Sequence, residues 1–274
     1  MRKKKFSPGL HIRMVIDATP GLLQENGVIM IDSIHQSSLN MAFRCGEQFR
    51  RRHIEDEIIP PGIAAGRGTG VHKANEVNLK QKLKTKIDLP LPDLQDAARD
   101  GYVHAFRNGV FLCKEDQPSK NTLINDGLND TIRLTKLYRD EVAPEIQPVE
   151  VERPFMIDVG LPLPFAGRID VEEVAKVDDL KTTAKSWADG QIDKEIQPIF
   201  YSYVHEKEIG VRPEFVYHIL VALKTKVKRQ VQSITPTDAH YQALFAKAKM
   251  FCKMLDTGTF LPANPTSWWC SSRW

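Results

Sequence analysis

The chain has 274 residues, with 38 basic against 35 acidic side chains and a formal net charge of +3. Its composition, 42% hydrophobic and 27% charged, is typical of a soluble globular protein with one large domain or two small ones. No apolar run of about eighteen residues occurs, which excludes a transmembrane helix, and no apolar segment follows the basic N-terminus, so we expect no secretion signal. Because the net charge is small, the electrostatic field of the whole molecule is weak, and only local clusters of basic residues could attract an acidic partner.

The first half of the chain is predicted to be helical. Residues 1–30 are expected to form an irregular lead-in with a short strand, and residues 33–38 supply N-caps for the first helix. A glycine-rich turn at residues 66–70 is expected to open the second helix. The predicted helices cover about residues 39–56, 71–83, 93–107 and 122–141.

Apolar and polar residues alternate from residue 147 onward, which predicts strands. The predicted strands cover about residues 149–157, 163–174, 175–182, 215–223 and 224–233. A helix over about 193–209 separates the third strand from the fourth, and a last helix runs from Pro236 to near Gly258. This order favours an α/β fold, with a central mixed sheet flanked by helices and an N-terminal helical elaboration.

The same change of pattern suggests a division of the chain into four parts. They are a lead-in at 1–32, a helical portion at 33–146, a sheet core at 147–260 and a C-terminal segment at 261–274.

Two predicted neighbouring strands carry acidic residues that could share a site. Asp170 lies in the first, and Asp179 is followed two positions later by Lys181 in the second. Since side chains alternate along a strand, Asp179 and Lys181 are expected on one face. Two carboxylates and an ammonium suit a Mg²⁺ or Mn²⁺ site that polarises a phosphodiester, with Lys181 assisting the attacking water. Taken alone, an Asp-x-Lys triplet is more often an exposed ion pair.

Two further pairs have helical spacing. His72 and Glu76 lie one turn apart on the predicted second helix, and Gln197 and Tyr201 are spaced in the same way on the helix after the Asp-x-Lys strand. A lone histidine on a helix is more often an ordinary surface or core residue, so neither pair defines a site by itself.

Together these segments resemble a known family. The ordered motifs are Gly68-Thr69-Gly70-Val71-His72, Gly167-Arg168-Ile169-Asp170, Asp179-Leu180-Lys181 and Gln197-Pro198-Ile199-Phe200-Tyr201. They are similar to the series G-x-x-x-H, G-x-x-D, (D/E)-x-K and Q-x-x-x-Y of the PD-(D/E)XK nuclease superfamily. The branch they resemble is the RecB-type nucleases, which include CRISPR-adaptation exonucleases and phage recombination nucleases. The resemblance covers about residues 33–274.

The resemblance implies a restriction-endonuclease-like fold and a metal-dependent DNA exonuclease. Such an enzyme acts on single- or double-stranded DNA ends in recombination, repair or replication. The implied location is the cytoplasm of a bacterial cell or of a phage-infected host. The implied cofactor is Mg²⁺ or Mn²⁺.

The resemblance also assigns roles to individual residues. His72, Asp170 and Asp179 would bind the metal, with the Leu180 carbonyl as a further ligand. Lys181 would be the catalytic lysine. The residues that would orient the site or contact DNA are Gln197, Tyr201 and Glu76. Because Pro198 directly follows Gln197, the helix that carries them must either begin near that point or lose a hydrogen bond and bend.

Many RecB-type nucleases carry an iron–sulfur cluster held by one cysteine before the histidine motif and three near the C-terminus. Cys45 and Cys270 match two of these positions, whereas Cys113 and Cys252 do not fit the spacing. Four thiolates are needed, so a cluster is expected only if the native chain extends past Trp274. Loss of the cluster in this protein is the other explanation, and both cysteines could equally be simple buried thiols.

Two clusters of basic residues and three C-terminal tryptophans are candidate contacts for DNA. Arg44 with residues 50–52, and residues 224–229, could track a phosphate backbone, although a basic run is usually a solvated face. Trp268, Trp269 and Trp274 could stack bases, although such residues more often close a core or a small cluster subdomain. The turn at residues 66–70 lacks the Gly-Lys-Ser/Thr ending of a phosphate loop. The alternatives to a nuclease are a non-catalytic DNA-binding or assembly subunit that keeps the fold, and a nucleotide phosphohydrolase.

Overall fold

The computed structural model describes residues 31–267 and contains seven α-helices and five strands within that range. The helices are α1 (Gln36–Arg44), α2 (Gly46–His53), α3 (Ile63–Thr85), α4 (Leu91–Ala105), α5 (Lys120–Leu137), α6 (Ile196–Ile209) and α7 (Asp238–Thr257). The strands are β1 (Glu150–Ile157), β2 (Phe165–Glu172), β3 (Lys176–Thr183), β4 (Glu214–Ala222) and β5 (Val227–Ile234). The expected lead-in at residues 1–30 lies outside the described residues.

The five strands form one mixed sheet in the order β1-β2-β3-β4-β5. Neighbouring strands are antiparallel except β3 and β4, which are parallel and are joined by α6. The predicted α/β fold with a central mixed sheet flanked by helices is therefore confirmed. No helix among residues 31–267 is long and apolar enough to cross a membrane.

Each face of the sheet carries its own hydrophobic core. On one face, Phe215, Tyr217 and Ile219 of β4 pack beneath α6 and α7, with helices α1 and α2 at the border. On the other face, Leu180 and Leu220 pack against α3, α4 and α5. Strand β4 is buried along nearly its whole length, as expected for a strand covered by helices on both sides. The helical elaboration is thus one of the two layers that cover the sheet.

The single helix predicted over residues 39–56 is wrong, because the chain breaks into α1 and α2 at Cys45. This residue has extended backbone angles and serves as the N-cap of α2. Its Sγ atom accepts hydrogen bonds from the backbone N–H of Gln48 and of Ala263, both at 3.4 Å. The backbone N–H of Gly46 donates to the Leu261 carbonyl at 2.7 Å, so the C-terminal segment runs back to Cys45.

The glycine-rich turn predicted at residues 66–70 is also wrong, since these residues lie inside α3. The glycines permit close helix packing. A Cβ atom built on Gly70 would lie 2.7 Å from the Ala98 carbonyl oxygen of α4 and 2.7 Å from Thr131 Cγ2 of α5. A Cβ atom on Gly66 would overlap the Phe106 ring at 2.2 Å. The local sequence favours a turn, but packing against neighbouring helices stabilises a helix at these residues.

We expect Gly70→Ala to lower the free energy of unfolding by about 1–2 kcal/mol, measured by urea denaturation. The added methyl group would meet a backbone oxygen that cannot move aside, and this overpacking outweighs the better helix propensity of alanine. Gly68→Ala is the matched control, because its Cβ would make an ordinary contact of 3.5 Å with Thr182 Oγ1. The control should be neutral or slightly stabilising. Equal effects of the two substitutions would contradict the packing argument.

Candidate active site

Strands β2 and β3 separate at the predicted site. They pair at two register positions, Val171 opposite Asp178 and Glu172 opposite Val177. The next position in the same register places Asp170 opposite Asp179, and there the ladder has ended. Both carboxylates therefore lie where the two strands diverge, which leaves room for a ligand between them. This brings together the two acidic residues that the sequence predicted to share a site.

Asp179 and Lys181 lie on one face of β3, where α6 adds Gln197. Lys181 Nζ is 2.7 Å from Asp179 Oδ2 and donates to Gln197 Oε1 at 2.6 Å. Gln197 Nε2 donates to Asp179 Oδ1 at 2.7 Å, which closes a three-membered network. The Tyr217 hydroxyl on β4 donates to Gln197 Oε1 at 3.3 Å. The Lys181 ammonium lies 5.0 Å from the centre of the Tyr217 ring. The lysine is thus held beside the carboxylate from two directions.

Pro198 is compatible with this placement. Helix α6 begins at Ile196, so Pro198 lies in its first turn, where a missing N–H costs no intrahelical hydrogen bond. Of the two alternatives that the proline left open, a helix that begins near Gln197 is the one observed.

His72 approaches the other carboxylate from α3. Its Nδ1 atom lies 3.0 Å from Asp170 Oδ2, with 32% of the histidine side chain and 20% of the aspartate side chain exposed. Burial opposes the imidazolium form, but the hydrogen bond to Asp170 and the charges of Asp170 and Asp179 outweigh it and raise the pKa of His72. Burial likewise opposes ionisation of Asp170, yet the bond to His72 and the nearby positive charges lower the pKa of that carboxyl. Both shifts favour the charged form of the His72–Asp170 pair.

Asp179 has the opposite electrostatic balance. Burial is the main cause that raises its pKa; Lys181 opposes this effect and the negative charge of Asp170 adds to it. Burial, together with the charges of Asp170 and Asp179, also raises the pKa of Tyr201, which keeps that phenol neutral beside the site. The negative charge of Asp170 beside the buried Asp179 is a repulsion that a bound cation would relieve.

We expect the stabilisation contributed by the His72–Asp170 pair to depend on pH. Because the pKa of His72 is raised on folding, the pair stabilises the protein fully at pH values below the unfolded-state pKa of about 6.5. This stabilisation is lost as the pH rises through the folded-state pKa of His72. The lowered pKa of Asp170 gives stability that is lost as pH falls below about 4. In metal-free buffer, urea denaturation should show a stability difference between the parent and His72→Gln of about 1 kcal/mol near pH 5–6, because the pair is partly exposed. A difference that does not shrink between about pH 6 and pH 9 would rule out the pair as its source.

The chemistry of these donors fits a divalent cation. An imidazole nitrogen and two carboxylates suit Mg²⁺ or Mn²⁺, and the buried Asp179 Oδ2 atom has no aligned hydrogen bond although Lys181 is close to it. Within residues 31–267, however, no three His, Cys, Asp or Glu side chains are grouped closely enough to hold an ion. His72 and Asp170 bond to each other, and Asp179 bonds to Lys181 and Gln197. A metal would therefore have to exchange with these internal contacts.

The remaining predicted residues lie at varying distances from the centre. Tyr201 is buried against Phe155, with ring centroids 5.9 Å apart. Glu76 bonds to Lys73 and Lys80 at 3.1 and 2.6 Å, and it lines the cleft beside His72. The Leu180 side chain packs in the second core. The role of its carbonyl stays a prediction.

The structure places Cys45 away from the carboxylates, at the junction of α1, α2 and the C-terminal segment. Cys270 and the predicted stacking residues Trp268, Trp269 and Trp274 lie outside the described residues.

A cleft of about 680 Å³ opens beside His72, and sequence reasoning missed most of its lining. The residues that line it are Thr69, His72, Lys73, Glu76, Asp100, Gly101, His104 and Glu152. Glu152 lies on β1 and, in the β1–β2 register, opposite Asp170. Its φ of 55° is uncommon for a non-glycine residue in a strand. Burial and the charge of Asp170 raise the pKa of Glu152. No sequence signal distinguishes it from an ordinary strand glutamate.

Comparison with known proteins supports the fold. No protein-family model matches the chain, and no curated protein matches its sequence. A crystal structure of a candidate exonuclease from Eubacterium rectale aligns with a TM-score of 0.56 and 12% identity, covering 87% of each chain. A second solved chain aligns at 15% identity over 65% of this chain and 86% of its own, but its TM-score of 0.30 is too low to support an argument. The chain therefore shares the α/β fold of that solved protein.

Proposed function

We propose that this protein is a Mg²⁺- or Mn²⁺-dependent DNA nuclease of the PD-(D/E)XK superfamily and RecB-type branch. The observation that carries the proposal is the meeting of Asp170 and Asp179 where β2 and β3 separate, with His72 on one carboxylate and Lys181 on the other. His72 comes from α3, Asp170 from β2, and Asp179 and Lys181 from β3, so three separate elements contribute to the proposed site. The shared fold with a candidate exonuclease is consistent with this proposal.

Each side chain has a defined part in the proposed reaction. His72, Asp170 and Asp179 would hold the metal, with the Leu180 carbonyl as a further ligand. When bound, the metal would polarise a backbone phosphate and lower the pKa of a water molecule. Lys181 would offer its ammonium to the attacking water or to the charge that grows on the phosphate.

Gln197 and Tyr201 would act on the orientation of the site. Gln197 bonds to both Asp179 and Lys181, so it fixes their separation. Tyr201 would support the substrate side of the site and contact DNA. Glu76 would act from the cleft wall next to His72.

We further propose that the enzyme is an exonuclease that acts on single- or double-stranded DNA ends during recombination, repair or replication. We do not include an iron–sulfur cluster in this proposal. Four thiolates are required, and only Cys45 and Cys270 match the positions of the family's ligands.

The alternative is a non-catalytic DNA-binding or assembly subunit. One observation favours it: within the described part of the chain the candidate ligands bond to one another and do not form a group placed to hold an ion. A pseudo-nuclease would keep such contacts for stability alone.

Digestion of labelled linear single-stranded and duplex DNA beside a covalently closed circle tests the proposal. With Mn²⁺, the parent should degrade linear DNA and spare the circle. Cleavage of the circle would leave a nuclease but contradict the exonuclease assignment. Binding of DNA without cleavage would support the non-catalytic alternative, and hydrolysis of free nucleotides alone would point to a phosphohydrolase.

A further inference from the structure

We propose that a DNA strand reaches the site across a lysine patch formed by Lys185, Lys224, Lys226 and Lys228, an inference that rests on the proposed nuclease function. Lys185 follows β3, and the other three lie in or beside the turn between β4 and β5. All four side chains are exposed. A row of ammonium groups leading to the carboxylate pair would neutralise the phosphates of one strand.

Strand register places the patch next to the site. Parallel strands β3 and β4 run side by side, with Lys181 opposite Ile219 and Thr183 opposite Val221. The β4–β5 turn therefore begins just beyond the end of β3, about 13 Å along the sheet from Lys181 at about 3.3 Å per residue. This distance corresponds to about four nucleotides along a B-form strand.

The patch also lies on the correct face of the sheet. Lys228 is opposite Val221, which shares the face of Tyr217 because both are odd-numbered positions of β4. Tyr217 is in turn opposite Asp179. Lys228, Tyr217 and Asp179 therefore belong to the same side of the sheet.

The loop that carries Lys185 is fixed against this face. Gln230 of β5 exchanges two hydrogen bonds of 2.9 Å with the backbone of Trp187. Gln232 bonds to the backbone of Ala188 at 2.8 Å, and the Trp187 ring packs edge-on to Tyr217 with centroids 5.2 Å apart. These contacts connect the loop directly to a residue of the site.

The lysines of the patch are available for phosphate, unlike the arginines of α2. Within residues 31–267, no ion pair or hydrogen bond engages the four ammonium groups. On α2, by contrast, Arg50 and Arg51 each bond to Glu47 at 2.8 Å, and Arg50 also bonds to Glu55. Of the two basic clusters noted in the sequence, the one at the β4–β5 turn is therefore the better phosphate site.

Charge is distributed unequally across the site, which gives the strand a direction. The cleft on the β1 side carries the carboxylates of Glu76, Asp100 and Glu152 together with the ammonium of Lys73, and Glu76 is paired with Lys73 and Lys80. The patch lies on the opposite side, toward β5, since the sheet order is β1-β2-β3-β4-β5. A polyanion is attracted more strongly to the lysine patch, because no carboxylate among residues 31–267 pairs with its four ammonium groups, whereas the cleft carries charges of both signs. The bound strand should extend over the β4–β5 turn.

DNA binding in EDTA tests this inference without any cleavage. The variant Lys224→Gln/Lys226→Gln/Lys228→Gln should bind a labelled single-stranded oligonucleotide at least about tenfold more weakly than the parent near 0.1 M salt. Its plot of log affinity against log salt should be shallower by about 2, since three phosphate contacts are lost. The matched control is Lys247→Gln/Lys249→Gln/Lys253→Gln, which removes the same charge from exposed positions of α7. The control should stay within about twofold of the parent.

Equal weakening in both triple variants, or none in the first, would overturn the inference, as would a parent that binds no DNA. A parent that cleaves DNA while the patch variant binds normally would refute the patch and leave the nuclease proposal standing. Binding that depends on the patch in a parent that never cleaves would support the patch and refute the nuclease proposal.

Discussion

Asp179→Asn should abolish DNA cleavage, with a loss of at least about a thousandfold, while the protein remains fully folded. The substitution removes one of two carboxylates proposed to hold the metal and the charge that holds Lys181. Because burial and Asp170 raise the pKa of Asp179, a neutral amide should be tolerated there, and the free energy of unfolding should not fall. The initial rate of digestion and a urea denaturation curve, measured on the same preparation, check both parts.

The matched control for this substitution is Asp189→Asn, an exposed aspartate in the loop after β3. It should cleave DNA at the rate of the parent. If Asp179→Asn retained more than about a tenth of the parental rate, Asp179 would not be a metal ligand in this protein.

Glu172→Ala should lower the free energy of unfolding by about 3 kcal/mol or more, which is a large effect for a single residue. Glu172 is 3% exposed and binds Arg153 of β1 and His205 of α6, with Arg153 Nη2 and His205 Nδ1 each 2.8 Å from its Oε1 atom. Removing the carboxylate leaves a guanidinium without its buried partner. Urea denaturation at neutral pH measures the loss.

Glu208→Ala is the control for Glu172→Ala, because Glu208 is the more exposed partner of the same arginine. It should cost less than about 1 kcal/mol. Burial opposes ionisation of Glu172, but the bonds from Arg153 and His205 lower its pKa. The stability it contributes is therefore present above about pH 4.3 and lost as pH falls through the lower folded value. Equal losses for the two variants would contradict this assignment.

The strands and the carboxylate pair could be predicted from the sequence because their signals are local. Alternating apolar residues indicate β2 and β3, and a strand places Asp179 and Lys181 on one face. The short loop between these strands makes them neighbours, so Asp170 and Asp179 can be expected close together. The motif series adds His72 and Gln197, whose contacts with these carboxylates the structure supplies.

The helix breaks and the buried networks could not be predicted, because they depend on distant contacts. Glycines at residues 66–70 usually mark a turn, and only the nearby Ala98 and Thr131 explain why a helix continues through them. At Cys45, where α1 ends, the sulfur accepts a hydrogen bond from the backbone N–H of Ala263, which is more than two hundred residues away in the chain. No sequence pattern indicates the positive φ angle of Glu152.

The division of the chain into four parts stays a prediction. The structure shows that the helical portion and the sheet share a core, since α3 and α5 pack directly on the sheet and α4 packs on these two helices. Most of the lead-in and the end of the C-terminal segment lie outside residues 31–267.

The most direct test of the central claim is the release of label from linear DNA by protein that has first been stripped of metal with EDTA and then supplied with Mn²⁺ or Mg²⁺. The account predicts no release in EDTA, release after either metal is added, and none at any metal concentration with Asp179→Asn. Release that persists in EDTA, or intact DNA in every reaction with protein shown to be folded, would contradict the assignment of a metal-dependent nuclease to the Asp170–Asp179–Lys181 site.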